Sequence, residues 1–157
     1  MTTENAPEQA SNSIEGAAVP LDITVRFAET DQMGVVHHSE YVVWFEAGRV
    51  AWMEAAGMPY TEIAGAGFNF AVTDLHCRYR NAIRFGDPVQ VVTRLGIFRS
   101  RQIEFLYKIL NRETDVIYAD GHTRHICVDA AGRMTRVPEW IAERLVRASV
   151  LECGGVG

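Results

Sequence analysis

The stretch Ser39–Ala56, SEYVVWFEAGRVAWMEAA, limits the possible folds of this chain more than any other. Tyr41, Trp44, Phe45, Gly48, Trp52 and Ala55 recur at the spacing of one helix face. Val42, Val43, Ala47, Val50, Ala51 and Met53 extend the apolar surface well beyond that stripe. A helix that is apolar on most sides is buried on most sides, so something must wrap around it. Ser39 is the expected N-cap, and Gly57, followed by Pro59, the expected stop. Gly48 weakens helix propensity and so marks a close approach to a sheet or to another chain.

The wrapping material reads as strands. In Leu21–Ala28, Ile23, Val25 and Phe27 alternate with Asp22, Thr24 and Arg26, which predicts a first strand leading into the loop Glu29–Gly34. After the helix come a short turn or helix over Pro59–Ala64 and a Gly65–Gly67 loop. Four strands follow, at Phe68–Arg80, Asp87–Phe98, Arg101–Asn111 and Val116–Asp129, with Gly121 expected at a bulge or bend. Ile103, Phe105, Tyr107 and Ile109 share one face of the third. Pro138 suits the first turn of a C-terminal helix ending near Ala148. The expectation is an α+β fold, a curved antiparallel sheet wrapped around one long helix. With 157 residues the chain suits one domain, placed at residues 21–148 between polar, small-residue tails at 1–20 and 149–157.

Charge and cysteine content narrow the function classes. A net charge of −5 argues against non-specific nucleic-acid binding. The N-terminus has neither a basic start nor an apolar run of signal length, and nothing later has the length of a membrane span, so a cytoplasmic protein without membrane association is expected. Three cysteines without a CxxC pair fit a reducing compartment. Arg78, Arg80, Arg84, Arg94, Arg99 and Arg101 lie close together in sequence, accompanied only by the acid Asp87. Arginine grips phosphate at two points, which suits a small polyanion; a solvated basic surface is the equal alternative.

The element order, together with Arg26-Phe27, Glu29-Thr30-Asp31, Met33-Gly34-Val35-Val36, His37-His38, Tyr41, Phe45-Glu46 and Arg49, resembles the 4-hydroxybenzoyl-CoA thioesterase family of the hot-dog fold, more narrowly its bacterial acyl-CoA branch. The run Tyr79–Asp87 is similar to that family's Tyr…Pro-Ala…Gly-Asp segment, without its proline. The resemblance covers about residues 21–146. It implies an acyl-CoA substrate and a homodimer whose sheets join edge to edge and whose central helices pack side by side. Such dimers often pair again, so a homodimer or a homotetramer is implied, with active sites between subunits. No cofactor is expected.

Asp31 on its own reads as an aspartate binding loop amides. The resemblance makes it the catalytic carboxylate, either a nucleophile or a general base on water. Amides at a helix N-terminus lack intrahelical acceptors and carry partial positive charge, which suits a developing oxyanion. The resemblance assigns that donation to the His38 amide, and gives the His38 side chain an assisting role in place of plain solvent exposure. Glu46 is the backup carboxylate, although its spacing to Arg49 suits a helical ion pair. Tyr41, Trp44, Phe45, Phe68 and Phe70 are acyl-pocket candidates, although aromatics at such spacing are more often plain core. Arg78, Arg80, Arg84, Arg99 and Arg101 are candidates for the CoA phosphates.

His122 and His125 form an HxxH, but three residues apart in a strand they point to opposite faces, so no metal site is expected. Gly65-Ala66-Gly67 lacks the context of a nucleotide loop, and no GxSxG elbow is present. Two rival functions remain at this level: a hot-dog hydratase or dehydratase, and a non-catalytic acyl-CoA-binding module.

Overall fold

The computed structural model describes residues 18–150, with side chains to residue 148. Strands β1 (Val19–Ile23), β2 (Asn69–Tyr79), β3 (Val89–Phe98), β4 (Gln102–Asn111) and β5 (Ile117–Val128) form one antiparallel sheet in the order β1-β3-β4-β5-β2. Helix α1 (Glu40–Ala55) lies across its inner face, followed by α2 (Tyr60–Gly65); α3 (Glu139–Val150) comes last. The expected curved sheet around a long helix is the fold observed.

Alternation places the core. Val89, Val91 and Thr93 on β3, and Ile103, Phe105, Tyr107 and Ile109 on β4, are all buried toward α1. Phe45 stacks flat on Tyr107 at 4.3 Å between ring centroids, and Trp52 meets Phe105 edge-on at 5.3 Å. Both geometries suit the aromatic quadrupole. Two glycines allow this approach. A Cβ on Gly48 would collide with the Thr93 hydroxyl and come within 2.9 Å of Val91 Cγ1. The expected close contact of the helix is therefore with the sheet. Gly121 sits in regular register rather than at a bulge, between Cys77 and Tyr107 on the neighbouring strands. A side chain there would meet Phe45 Cε2 at 2.9 Å.

A chain of polar groups crosses the core. Arg49 donates from Nε to the Tyr60 hydroxyl (3.0 Å) and from Nη1 to the Tyr107 hydroxyl (3.3 Å). The Tyr107 proton is then free to reach Thr123 Oγ1 at 2.6 Å, and the Thr123 proton to reach His125 Nε2 at 2.8 Å. This direction makes Nε2 an acceptor and leaves the ring proton of His125 on Nδ1, which is buried without a partner. Arg49 is thus occupied by tyrosines, and the expected Glu46–Arg49 ion pair does not form.

The boundaries need correction at both ends. β1 starts at Val19, inside the expected tail, and stops at Ile23 rather than running to Ala28. Its partner explains the stop: Ile23 pairs with Val89, and Pro88 before it has no N–H to extend the ladder. The chain turns instead into a short 3-10 segment, Phe27–Glu29. α3 runs two residues past its expected end, and residues 1–17 and 151–157 of the expected tails lie outside the described residues.

The sheet covers only one side of α1. Val43 is 53% exposed, and Leu21, Val43, Glu46, Ala47, Val50 and Glu54 line an open groove. The edge strand β2 likewise exposes Val72, Leu75 and Tyr79. Among the described residues no helix is long and apolar enough to cross a membrane.

Candidate active site

The loop entering α1 is a small antiparallel turn. Thr30 bridges Val36, the Asp31 amide donates to Val35 O (2.8 Å), and the His37 amide donates to Glu29 O (2.9 Å). Gly34, at φ +76°, closes the tip. The Val36 amide donates to Ile83 O (2.8 Å), tying this loop to the one after β2. Asp31, half-buried, accepts the Met33 amide at Oδ1 (2.8 Å). The loop-binding job expected of an unassisted aspartate is therefore present. It occupies one oxygen, and Oδ2 has no partner among the described residues.

Below the turn lies Glu29, only 4% exposed. It accepts the Arg26 amide (2.6 Å) and the Trp44 indole N–H (3.1 Å), and pairs with the Arg26 guanidinium at 3.4 Å. Burial alone would raise its carboxyl pKa, but the Arg26 and Trp44 donors together hold it below the usual value. Glu29 so fastens the loop to the first turns of α1.

The helix start differs from expectation. Ser39 has helical angles, φ −69° and ψ −24°, and its hydroxyl caps no amide. Instead His37 Nδ1 accepts the Ser39 amide (3.2 Å) and lies 2.7 Å from Ser39 Oγ. An amide only donates, so Nδ1 accepts and the His37 proton is on Nε2. The side-chain acceptor at the helix entry is therefore the His37 imidazole, and it takes the Ser39 amide, two residues on. His37 O takes the Glu40 amide at 3.0 Å. Of the amides at residues 37–40, three have protein acceptors; that of His38 has none among the described residues. The His38 ring is exposed, lies 4.2 Å from that of His37, and its carbonyl accepts the Tyr79 hydroxyl at 2.7 Å.

The other candidates divide by position. Tyr41 and Trp44, 3% and 4% exposed, pack beside each other below the loop, with Tyr41 edge-on to Tyr79 at 4.8 Å. Burial pushes the Tyr41 hydroxyl up to about 12. Phe45 is deeper, on Tyr107. Phe68 precedes β2 and Phe70 lies near its start, while Tyr79 ends it. At ~3.3 Å per residue the nine steps from Phe70 to Tyr79 span roughly 30 Å, so one chain does not assemble these aromatics into one pocket. Glu46 is on the uncovered side of α1.

Among the candidate arginines, Arg84 lies at the Asp31 turn: its Nη1 is 3.8 Å from where a Cβ on Gly34 would be. Asp87 does not neutralise it, being taken by the Arg84 amide (2.9 Å) and the Tyr118 hydroxyl (3.3 Å). Arg80 pairs with Asp120, and Arg78 is opposite Asp120 in register. Arg99 and Arg101 are in the β3–β4 turn, at the other end of the sheet. His125 is fully buried on the inner face, whereas His122 stacks on His76 on the outer one, so the HxxH divides as expected. Sequence reasoning missed Glu29, Tyr79 and the capping role of His37. Glu29 and Tyr79 were visible as motif residues, but no spacing rule connects either to its partner fifteen or forty-one positions away.

Comparison with known proteins agrees with this fold. Residues 25–145 match the family described as the thioesterase-like superfamily. YneP of Bacillus subtilis (strain 168), provisionally named an acyl-CoA thioesterase, is 33% identical over 69% of this chain and 78% of its own length. The crystal structure of the hypothetical protein TT1821 from Thermus thermophilus superposes with a TM-score of 0.77 at 43% identity, covering 82% of this chain and 95% of that one. A DHNA-CoA thioesterase from Staphylococcus aureus superposes at 0.78 with 26% identity, over 89% and 97%. The chain belongs to the thioesterase-like superfamily and is a thioester hydrolase with the hot-dog fold.

Proposed function

We propose that the protein hydrolyses acyl-CoA or aryl-CoA thioesters to the free acid and CoA, with Asp31 as catalytic carboxylate and the His38 amide as oxyanion donor. The observation that carries this is the unpartnered His38 amide at the start of α1, in a loop where the neighbouring amides are bonded. A donor already oriented toward a site costs no reorganisation as the thioester oxygen becomes negative. The positive end of α1 adds to its effect. The free Asp31 Oδ2 is the atom that takes the proton from attacking water, or that attacks the carbonyl carbon itself; both routes use the same geometry. The exposed His38 ring assists by hydrogen bonding to the substrate. The names of YneP and of the Staphylococcus aureus enzyme support CoA thioesters as the substrate class.

The open β2 edge and the uncovered side of α1 support a homodimer, with further pairing to a homotetramer. Antiparallel joining of two β2 strands would bring the Phe68–Phe70 end of one copy beside the Tyr79 end of the other, closing an acyl pocket that neither copy has alone. Glu46 then serves the α1 side of the assembly. Arg84 is the preferred phosphate contact, because it reaches the Asp31 turn within one chain. A cytoplasmic location fits Cys77 and Cys127, which are unpaired.

The test is release of free CoA thiol from a panel of short, medium and aryl acyl-CoAs. Turnover of at least one is expected. CoA binding without hydrolysis of any member would favour the non-catalytic binding module and overturn this reading.

A further inference from the structure

Tyr79 ends β2, yet its hydroxyl leaves the sheet to donate to the His38 carbonyl, forty-one residues away, at 2.7 Å. The ring is held edge-on by Tyr41 at 4.8 Å, and its face-to-edge distance to the His38 ring is 6.5 Å between centroids. Burial and the neighbouring Cys77 thiol push the hydroxyl up to about 12, so it stays a donor throughout neutral pH. The peptide on the other side of His38 is fixed independently, by His37 O accepting the Glu40 amide at 3.0 Å. The peptide that carries the free amide is thus held at His37 O, and the next one is held at its carbonyl by Tyr79 and at its N–H by His37 Nδ1.

We propose that Tyr79 is a positioning residue for thioester hydrolysis: it locks the His38 backbone so that the free His38 amide meets the developing oxyanion. The inference rests on the oxyanion role proposed for that amide. The bond is not needed to hold the fold, because Tyr79 is 46% exposed and β2 is paired to β5 without interruption from Asp74 to Tyr79. Its effect is therefore expected in the transition state rather than in stability or substrate affinity. An interaction made only with the transition state changes kcat and leaves ground-state binding alone.

Tyr79→Phe removes the hydroxyl and keeps the ring. In the full-length protein, we expect kcat for the best acyl-CoA to fall about tenfold, KM to stay within about twofold, and the urea midpoint to be unchanged. Affinity for a trifluoromethyl-ketone analogue of acyl-CoA, whose hydrate mimics the tetrahedral intermediate, should weaken about as much as kcat. Affinity for the unreactive thioether analogue should not change. A Tyr79→Phe enzyme with wild-type kcat, or one whose loss is equal for both analogues, overturns the proposal. Tyr79→Leu guards against a ring-packing effect: if Leu is impaired and Phe is not, packing and not the hydrogen bond is responsible. Asp31→Asn run in parallel separates the two claims. Loss with Asn but not with Phe sinks only the Tyr79 role, while an active Asn variant beside an impaired Phe variant sinks only the carboxylate assignment. A wild-type protein that hydrolyses no thioester sinks both.

Discussion

The body of α1 and the loop that leads into it share one chain but are built to opposite rules. From Tyr41 to Met53 the sheet-facing side is packed without spare room: Phe45 is flat on Tyr107, Gly48 is against Thr93, and Arg49 gives its protons to two tyrosines. From Asp31 to His38 the chain is bonded by Glu29, Val35, Ile83 and Tyr79, yet one Asp31 carboxylate oxygen and the His38 amide have no partner among the described residues. The difference teaches where the chemistry is. In the body Arg49, Tyr107 and Thr123 bond one another within the core, whereas the loop holds the Asp31 carboxylate and the His38 amide in place and leaves each a free bonding position. Changes in the body should therefore cost stability and spare the turnover of whatever remains folded; changes in the loop should do the reverse.

The largest stability effect is expected for Phe45→Ala, which empties a fully buried site between Gly121 and Tyr107. A loss of about 3–5 kcal/mol by urea unfolding is predicted, with kcat per folded molecule little changed. If kcat fell as steeply as stability, the division drawn here would be too sharp.

His125 gives the body a pH dependence. Burial, and secondarily the Arg49 charge, lower its pKa from 6.5 to about 4. The unfolded chain thus binds a proton over that interval that the folded chain refuses. Stability from this group is complete above about pH 6.5 and falls as the pH drops toward 4, by about 3 kcal/mol in all. Replacing it by Leu should flatten that slope in urea unfolding measured at pH 7.5 and 4.5; an unchanged slope would assign the acid sensitivity to other groups.

Gly48→Ala tests the helix–sheet contact, with an expected cost of about 1–3 kcal/mol as Thr93 and Val91 are displaced. His37→Ala should be smaller, about 1 kcal/mol for a lost cap. It belongs to the loop, so its drop in kcat should exceed what the small stability change accounts for. Equal behaviour of these two variants in both measurements would erase the contrast.

The body was legible in the sequence because burial leaves a period. Helical spacing located α1 to within a residue at each end, and alternation located β3, β4 and β5. Where alternation misled, the cause was non-local: Val25 and Phe27 continue the pattern of β1, but its partner strand ends at Pro88, so Val25 is buried outside the sheet and Phe27 is 75% exposed. The loop has no period to read. Asp31 and His38 came from motif resemblance, while the anchors Glu29 and Tyr79 depend on contacts with Trp44 and His38 that only the folded chain creates. Ser39 was the obvious cap by residue type, but it has helical angles and caps nothing, while His37 two residues earlier accepts the Ser39 amide. The Glu46–Arg49 pair failed for a related reason: Arg49 found deeper partners in Tyr60 and Tyr107.

Asp31→Asn is the most direct test of the central claim. The substitution keeps an oxygen to accept the Met33 amide, so the turn and the urea midpoint should survive. Free CoA release from the best acyl-CoA substrate should fall at least about a hundredfold, within the range for lost acid–base participation. Near-normal release by a folded Asn variant would contradict the account and move the search for the carboxylate to Glu46.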